Sequence, residues 1–307
     1  MGRKMEYKQY RMFFQNGVHF GQGSLESADN RFAADTLFSA LCHEAVKKEC
    51  LQEFVEMTKE NRIKFSDAFP FIGKELYFPK PMLRINKNEQ QGDSVEKKKF
   101  KKLQYVPVSS LEEYLKGEFP AARTDEMREL GKSSVKVSAS IRGEEETRPY
   151  RVGSFHFREG NGLYFILGYE GEEEQALLDD LLEGLSFSGI GGKRSSGMGR
   201  FTCYPGKLPD EIVKKLDKGD RVMSLSVGMP KDEELSGALE QASYLLQKRS
   251  GFVASQTYAD GQRRKADFYV FQSGSIFGRR FEGDVFDVSV DGRHPVYRYA
   301  KPIFLEV

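Results

Sequence analysis

The densest chemistry in the chain lies in one run, Gly189-Ile190-Gly191-Gly192-Lys193-Arg194-Ser195-Ser196-Gly197-Met198-Gly199-Arg200-Phe201. Five of its first eleven residues are glycine, Lys193, Arg194 and Arg200 carry positive charge, and it holds no acid. Glycine permits positive φ and close backbone approach. Successive backbone N–H groups can then form an anion-binding concavity. With Ser195 and Ser196 as further donors, the run reads as a cradle for phosphate oxygens, in which Gly191, Gly192, Gly197 and Gly199 shape the backbone. A turn with incidental charge is the structural alternative. Neither common nucleotide motif fits. In the Walker register Arg194 follows Gly192-Lys193 and Phe187 holds the first glycine's place, and in the dinucleotide register Arg194 replaces the last glycine. Both motifs also open a helix after a strand, whereas this loop follows a helix. A polyphosphate backbone passing over the loop is the better ligand.

Further residues have types suited to the same chemistry. Lys248, Arg249, Arg263, Arg264 and Lys265 bracket an expected strand that carries Phe252 and Tyr258. Aromatics interleaved with basic residues suit single-stranded RNA, because bases stack and phosphates pair with Lys or Arg. A solvated rim is the bland reading. Arg142, Arg148 and Arg151 flank Pro149-Tyr150, and Arg142 joins the expected RNA contacts. His19 sits beside glycines at the end of a first strand. Acid–base work would need an activating partner within about 3 Å, and no second histidine is close in sequence, so packing or RNA contact is expected. Asp35 opens an amphipathic run and is expected to cap its helix. Cys42, Cys50 and Cys203 match no zinc spacing and form no disulfide framework. No metal and no cofactor are expected.

These residues need elements to hold them. Residues 9–20 read as a strand, and Leu37, Phe38, Leu41, Ala45 and Val46 recur at helical spacing. Residues 60–150 are irregular. Phe65 to Phe78 with Pro70 and Pro79 suggest edge segments, Glu96–Lys102 a solvated loop, Leu111–Glu113 a short helix closed by Gly117, and 121–146 a polar mobile stretch. Val152–Phe157 and Leu163–Tyr169 read as a hairpin turned at Glu159–Gly162. A helix over Leu177–Leu185 precedes the glycine loop, and Phe201–Tyr204 reads as the next strand. The order β-α-(insertion)-β-β-α-β is that of the ferredoxin-like fold. Residues 221–227, a helix carrying Leu235 to Leu246, and strands at 252–258, 268–271, 285–290 and 302–307 suggest a second such unit. The fold class is therefore α+β: two tandem ferredoxin-like (RRM-like) domains, 1–207 with an insertion at about 60–150, and 208–307.

Composition bounds the function. The 307 residues carry 47 Lys+Arg against 46 Asp+Glu, which excludes a uniformly polycationic nucleic-acid binder. The balance hides separation: residues 170–183 hold seven acids and no base, a solvated or protein-facing patch, while residues 248–267 hold five bases against Asp260 and Asp267. The 24 Phe and 14 Tyr are ample for a packed core, so disorder throughout is excluded. No secretory signal or membrane span is evident, and a cytoplasmic location is expected.

On these motifs the chain resembles a known family. The glycine loop between helix and final strand looks like the G-loop of RAMP-superfamily CRISPR proteins. Val18–Glu26 with Ala34–Leu41, Gly251–Val253 leading to Arg264–Asp267, and His294–Tyr299 resemble one member: the 5′-handle-binding subunit of type III-A (Csm) effector complexes. Ala33-Ala34 stand where that family commonly has His or Ser before the aspartate. The resemblance implies binding of the repeat-derived 5′ tag of the crRNA in antiviral defence. It also implies docking to the large polymerase-like subunit and to the first backbone RAMP subunit, and contact with target RNA only indirectly. It implies no catalysis, and a thumb-like insertion before the 152–157 segment, with Ile141 or a neighbour as a wedge between nucleotides. Two alternatives remain: a metal-independent endoribonuclease of the same superfamily, and a scaffold whose glycine loop touches only protein.

Overall fold

The first strand, β1 (Glu6–Phe14), shows the two-residue alternation that a sheet buried on both faces requires. Tyr10 and Met12 enter one apolar cluster and Tyr7 and Phe13 another. The structure, a computed structural model, describes residues 4–21, 23–84, 94–140 and 148–307. After β1 come α1 (Ala34–Lys47), which buries Leu37, Phe38, Leu41 and Ala45, and α2 (Leu51–Lys59). The expected cap of α1 is corrected here. Asp35 makes no capping bond; the Ala34 N–H donates instead to Asp67 Oδ1 at 2.8 Å.

Three strands follow: β2 (Ile63–Phe65), β3 (Phe69–Ile72) and β4 (Glu75–Pro79). Next are α3 (Ser94–Lys102), β5 (Tyr105–Pro107) and α4 (Leu111–Lys116), the last closed by Gly117 in the left-handed region at φ 80°. The basic run expected as a loop is thus the end of α3, where Lys99 pairs with Asp125 at 2.6 Å and Phe100 packs edge-on against Phe119. A long ribbon joins β6 (Gly131–Ser140) to β7 (Arg148–Phe157), so part of the stretch expected to be mobile is strand. Then come β8 (Asn161–Tyr169), α5 (Glu172–Ser188) and β9 (Phe201–Gly206).

The main sheet is antiparallel with order β9–β1–β8–β3–β4–β5, and β2 also pairs with β8. Two expectations fall here. β7 and β8 are joined by a tight turn at Gly160, but they do not pair with each other; β7 pairs β6. The neighbours of β8 are β1 and the segment 63–72, which begins the expected insertion and is internal rather than edge. Every residue of β8 is buried, so both its edges and faces need apolar neighbours. Phe65, Phe69 and Phe71 supply them, whereas β7 begins with solvent-exposed Tyr150 and Arg151.

The remainder holds α6 (Asp210–Lys215), β10 (Val222–Ser224), α7 (Asp232–Leu239), β11 (Leu246–Arg249), β12 (Phe268–Phe271), β13 (Ile276–Phe277), β14 (Asp284–Asp287), β15 (Tyr297–Ala300) and β16 (Phe304–Glu306). A sheet of order β13–β10–β16 is flanked by the ribbons β11–β12 and β14–β15. The helix expected to reach Leu246 stops at Leu239. Gln241 is left-handed at φ 55°, and Leu246–Arg249 pairs with Phe268–Phe271. The strand expected at 252–258 reduces to one bridge between Phe252 and Arg264. The strands expected at 285–290 and 302–307 are present as β14 and β16, with β15 between them.

The two parts share a core. β15 lies on α1 and β14 on α2. Tyr299 packs against Phe38 and Phe65, and its hydroxyl accepts the Phe65 N–H at 2.8 Å. Lys301, fully buried, donates to the Lys59 carbonyl at 2.7 Å, and burial pushes its ammonium down to about 8. Removing one partner of a buried hydrogen bond costs about 1–3 kcal/mol. Tyr299→Phe should therefore lower the urea midpoint by that much free energy with an unchanged m-value. No loss would show that this contact does not join the two parts.

Candidate nucleic-acid interface

The glycine loop begins where α5 ends at Gly189, φ 75°. Three bonds pin it to the segment after β1 and to itself. The Gly192 N–H donates to the His19 carbonyl at 2.8 Å, Gly199 N–H to Gly17 at 3.1 Å, and Ile190 N–H to Gly199 at 3.0 Å. A Cβ at Gly192 would come within 2.6 Å of His19 Cδ2, and one at Gly199 within 2.1 Å of the Ile190 carbonyl. These glycines are therefore a packing requirement, and their amides are already used inside the protein. The tip, Arg194–Ser196, is a single exposed turn, entered through left-handed Lys193 and left through Gly197 at φ 81°. Arg200 is also exposed. The Lys193 ammonium lies 5.2 Å from the Tyr150 ring centre, which ties the loop to the start of β7.

His19 is 7% exposed, and its Nδ1 lies 2.7 Å from the Gly153 carbonyl. A carbonyl only accepts, so Nδ1 carries the proton in that bond. The ring lines a cleft of about 690 Å³. One wall is Gly191 and Gly192, a second runs from His19 to Thr36, and a third is Gln247 to Gly251 at the end of β11. Three segments far apart in sequence thus meet, as do three groups of expected site residues. Arg142 and Ile141 lie outside the described residues.

The basic residues divide by environment. Arg263 and Arg264 are exposed, with the Arg264 guanidinium 5.8 Å from the centre of the exposed Phe252 ring. Lys248 pairs with Asp267 at 2.6 Å. Tyr258, expected beside RNA, is 1% exposed, and its hydroxyl bonds the Val290 backbone. Exposed Tyr269, paired in register with Lys248, is the aromatic that sequence reading missed; its alternation in β12 was the available signal.

Arg249 is held inward. Its Nε donates to Asp35 Oδ2 at 2.8 Å, and Arg298 Nη1 donates to the same carboxylate. The Arg249 side chain keeps only 20% exposure and the Asp35 carboxylate none. Burial opposes the charge of Asp35, but the two guanidiniums outweigh it and hold the carboxyl below its ordinary value. Asp67, also missed, reaches the cleft and bonds the Ala34 and Val227 N–H groups; burial pushes its carboxyl up. Lys265 is driven down by burial and then by Arg298. His43 on α1 is lowered by burial and then by Arg194, Lys265 and Lys47. Among the described residues no group of three or more His, Cys, Asp or Glu could hold a metal ion, and no helix is long and apolar enough to cross a membrane.

This architecture is a RAMP-like fold. The chain aligns with a chain of a Csm3–Csm4 subcomplex of the type III-A CRISPR–Cas interference complex at TM-score 0.65 and 19% identity, covering 97% of this chain and 98% of that one. It aligns with a chain of a Csm1–Csm4 cassette bound to AMPPNP at TM-score 0.59 and 16% identity, covering 99% and 98%. In sequence it is 40% identical over 294 residues to the CRISPR system protein Csm4 of Mycobacterium tuberculosis H37Rv, covering 94% of each. It is 36% identical over 314 residues to that of Streptococcus thermophilus, covering 99% of each. Residues 217–307 match the CRISPR Csm4 C-terminal domain. The chain belongs to the Csm4 family.

Asp35 gives this site a test. Removing one partner of a buried ion pair costs about 3–5 kcal/mol, so Asp35→Asn should destabilise the chain by that order at pH 7. The folded pKa lies below the ordinary 3.8. The contribution is therefore complete above about pH 4 and is lost as pH falls through the folded value. The urea midpoint should fall more steeply in acid for the parent than for the variant. Parallel falls would remove Asp35 from the account.

Proposed function

We propose that this chain is the non-catalytic subunit that caps the 5′ repeat-derived tag of the crRNA in a type III-A CRISPR complex. The observation that carries the reading is the cleft walled by the glycine loop, the His19–Thr36 segment and the end of β11, with Arg194, Arg200, Arg263 and Arg264 exposed on the three segments or beside them. In this reading the exposed cations hold phosphates, Phe252 and Tyr269 offer stacking faces, and the polar side chains of the cleft read a splayed base. Lys193, Ser195 and Ser196 complete the loop's contribution. Arg249 acts as a positioning residue, because its guanidinium is bonded to Asp35. His19 Nδ1 is bonded to a backbone carbonyl rather than to a second acid or base, which favours binding over cleavage.

The architecture is read as two ferredoxin-like units in tandem, 1–207 and 208–307. The order β9–β1–β8–β2/β3 follows that of a β-α-β-β-α-β unit. The order β13–β10–β16 keeps the last strand beside the first, with the β14–β15 ribbon in place of a helix. Csm4 chains have been solved with Csm3 and with Csm1. By likeness this chain docks the first backbone subunit and the large subunit in the cytoplasm, and target RNA reaches it only through them.

Arg194→Ala with Arg200→Ala should weaken binding of a tag-bearing guide RNA. Each lost single-strand phosphate contact should also flatten the salt dependence by about 0.7 in log–log slope. An unchanged slope would remove the loop from the interface. The purified chain should leave guide precursor RNA intact with or without divalent metal. Cleavage abolished by His19→Ala would establish the endoribonuclease reading instead.

A further inference from the structure

The main sheet ends in an open edge. β9 pairs only with β1 among the described residues. The Gln15 N–H donates to the Arg200 carbonyl across the Gln15–Arg200 pair. Antiparallel pairs alternate between mutually bonded and unbonded, so Thr202 and Tyr204 face β1, while the backbone groups of Phe201, Cys203 and Pro205 point outward. Pro205 occupies an outward position, where a missing N–H costs no ladder bond. The free donors are those of Phe201 and Cys203. Beside this edge a groove of about 420 Å³ runs between β9 and the C-terminal half of α5. Phe187 is 72% exposed and Tyr204 58%. Pairing places Cys203 on the helix side of the sheet with Met12, and Tyr204 on the other with Arg11. The two aromatics therefore flank the edge from opposite faces. The groove's charged lining is acidic, Asp179 and Glu183. Asp179 is bonded to Tyr10 and Gln175, whereas Glu183 has no ion-pair partner among the described residues. No Lys or Arg occurs from residue 170 to 192.

We propose that the outer edge of β9 and this groove dock an extended protein segment of alternating apolar and basic residues, which adds to the main sheet as a further strand. Main-chain bonds to Phe201 and Cys203 give the affinity. Alternate side chains meet Leu182, Phe187 and Glu183 on one face and Tyr204 on the other. The acids exclude RNA from this edge and select a basic segment, so the site lies apart from the RNA cleft. The inference rests on the proposed membership of a protein assembly and names a docking surface for it.

The test uses the full chain with co-expressed Csm3-type and Csm1-type subunits, scored separately for subunit affinity and for gel shift of tag-bearing RNA. Glu183→Lys with Phe187→Asp should weaken binding of one of the two subunits by more than about tenfold. Cys203→Pro, which removes one outward donor and no bond to β1, should weaken it by up to about tenfold, the scale of one net hydrogen bond. In the parent complex, amide exchange at Phe201 and Cys203 should slow on binding of that subunit. RNA binding should be unaltered in all variants. Unchanged affinity for both subunits, or no protection at those two amides, overturns the proposal. So does concentration-dependent self-association that the same variants abolish, which would make a second copy of the chain the occupant. Failure of the parent to shift RNA, with docking as described, would sink the tag-binding reading alone.

Discussion

The structure depends on a carboxylate with no access to water. Asp35 stands in the first turn of α1, and its two partners, Arg249 and Arg298, come from the end of β11 and from β15. A buried charge is tolerated only when it is paired and hydrogen-bonded, so this helix can keep its position only while the later part of the chain is docked. The same contact fixes the end of β11 against Thr36, and the gap left between them and the glycine loop is the cleft. The cleft's third wall is thus set by an ion pair rather than by apolar packing.

The glycine loop serves two ends that share one cause. Its backbone approaches the His19 segment so closely that side chains at Gly192 or Gly199 would collide. That approach uses the amides of Ile190, Gly192 and Gly199 internally and pushes the Arg194–Ser196 turn into solvent. In the proposed reading, phosphate recognition falls to the exposed tip and its side chains. Composition alone had placed it in a nest of backbone N–H groups.

What could be read from sequence was local. The apolar spacing of α1 and α5, the Gly117 stop and the strand at Phe268–Phe271 all emerged, because each follows from residues a few positions apart. The failures were decided by distant partners. Residues 63–72 looked irregular, yet they are core strands because β8 needs neighbours on both edges. Leu246 ended a helical stripe that began at Leu235, yet pairing of Leu246–Arg249 with Phe268–Phe271 prevailed over that periodicity. Asp35 had the spacing of a cap and became an ion-pair centre, because Arg298, 263 residues further on, packs over it. In the site, residue types gave the glycine loop and the exposed Arg263 and Arg264. The inward turn of Arg249 and the burial of Tyr258 needed the tertiary contacts.

Ribosomes make the chain from its N-terminus, and domains generally fold as units during synthesis. Arg298 and Tyr299, made 263 and 234 residues after Asp35 and Phe65, complete the surroundings of those two. Until these residues emerge, Asp35 has Arg249 as its guanidinium partner but not Arg298, and the space beside Phe38 and Phe65 lacks the Tyr299 ring. The pairing of the Asp35 charge is thereby finished only when β15 is made, so the start of α1 waits on a distant strand for its final packing.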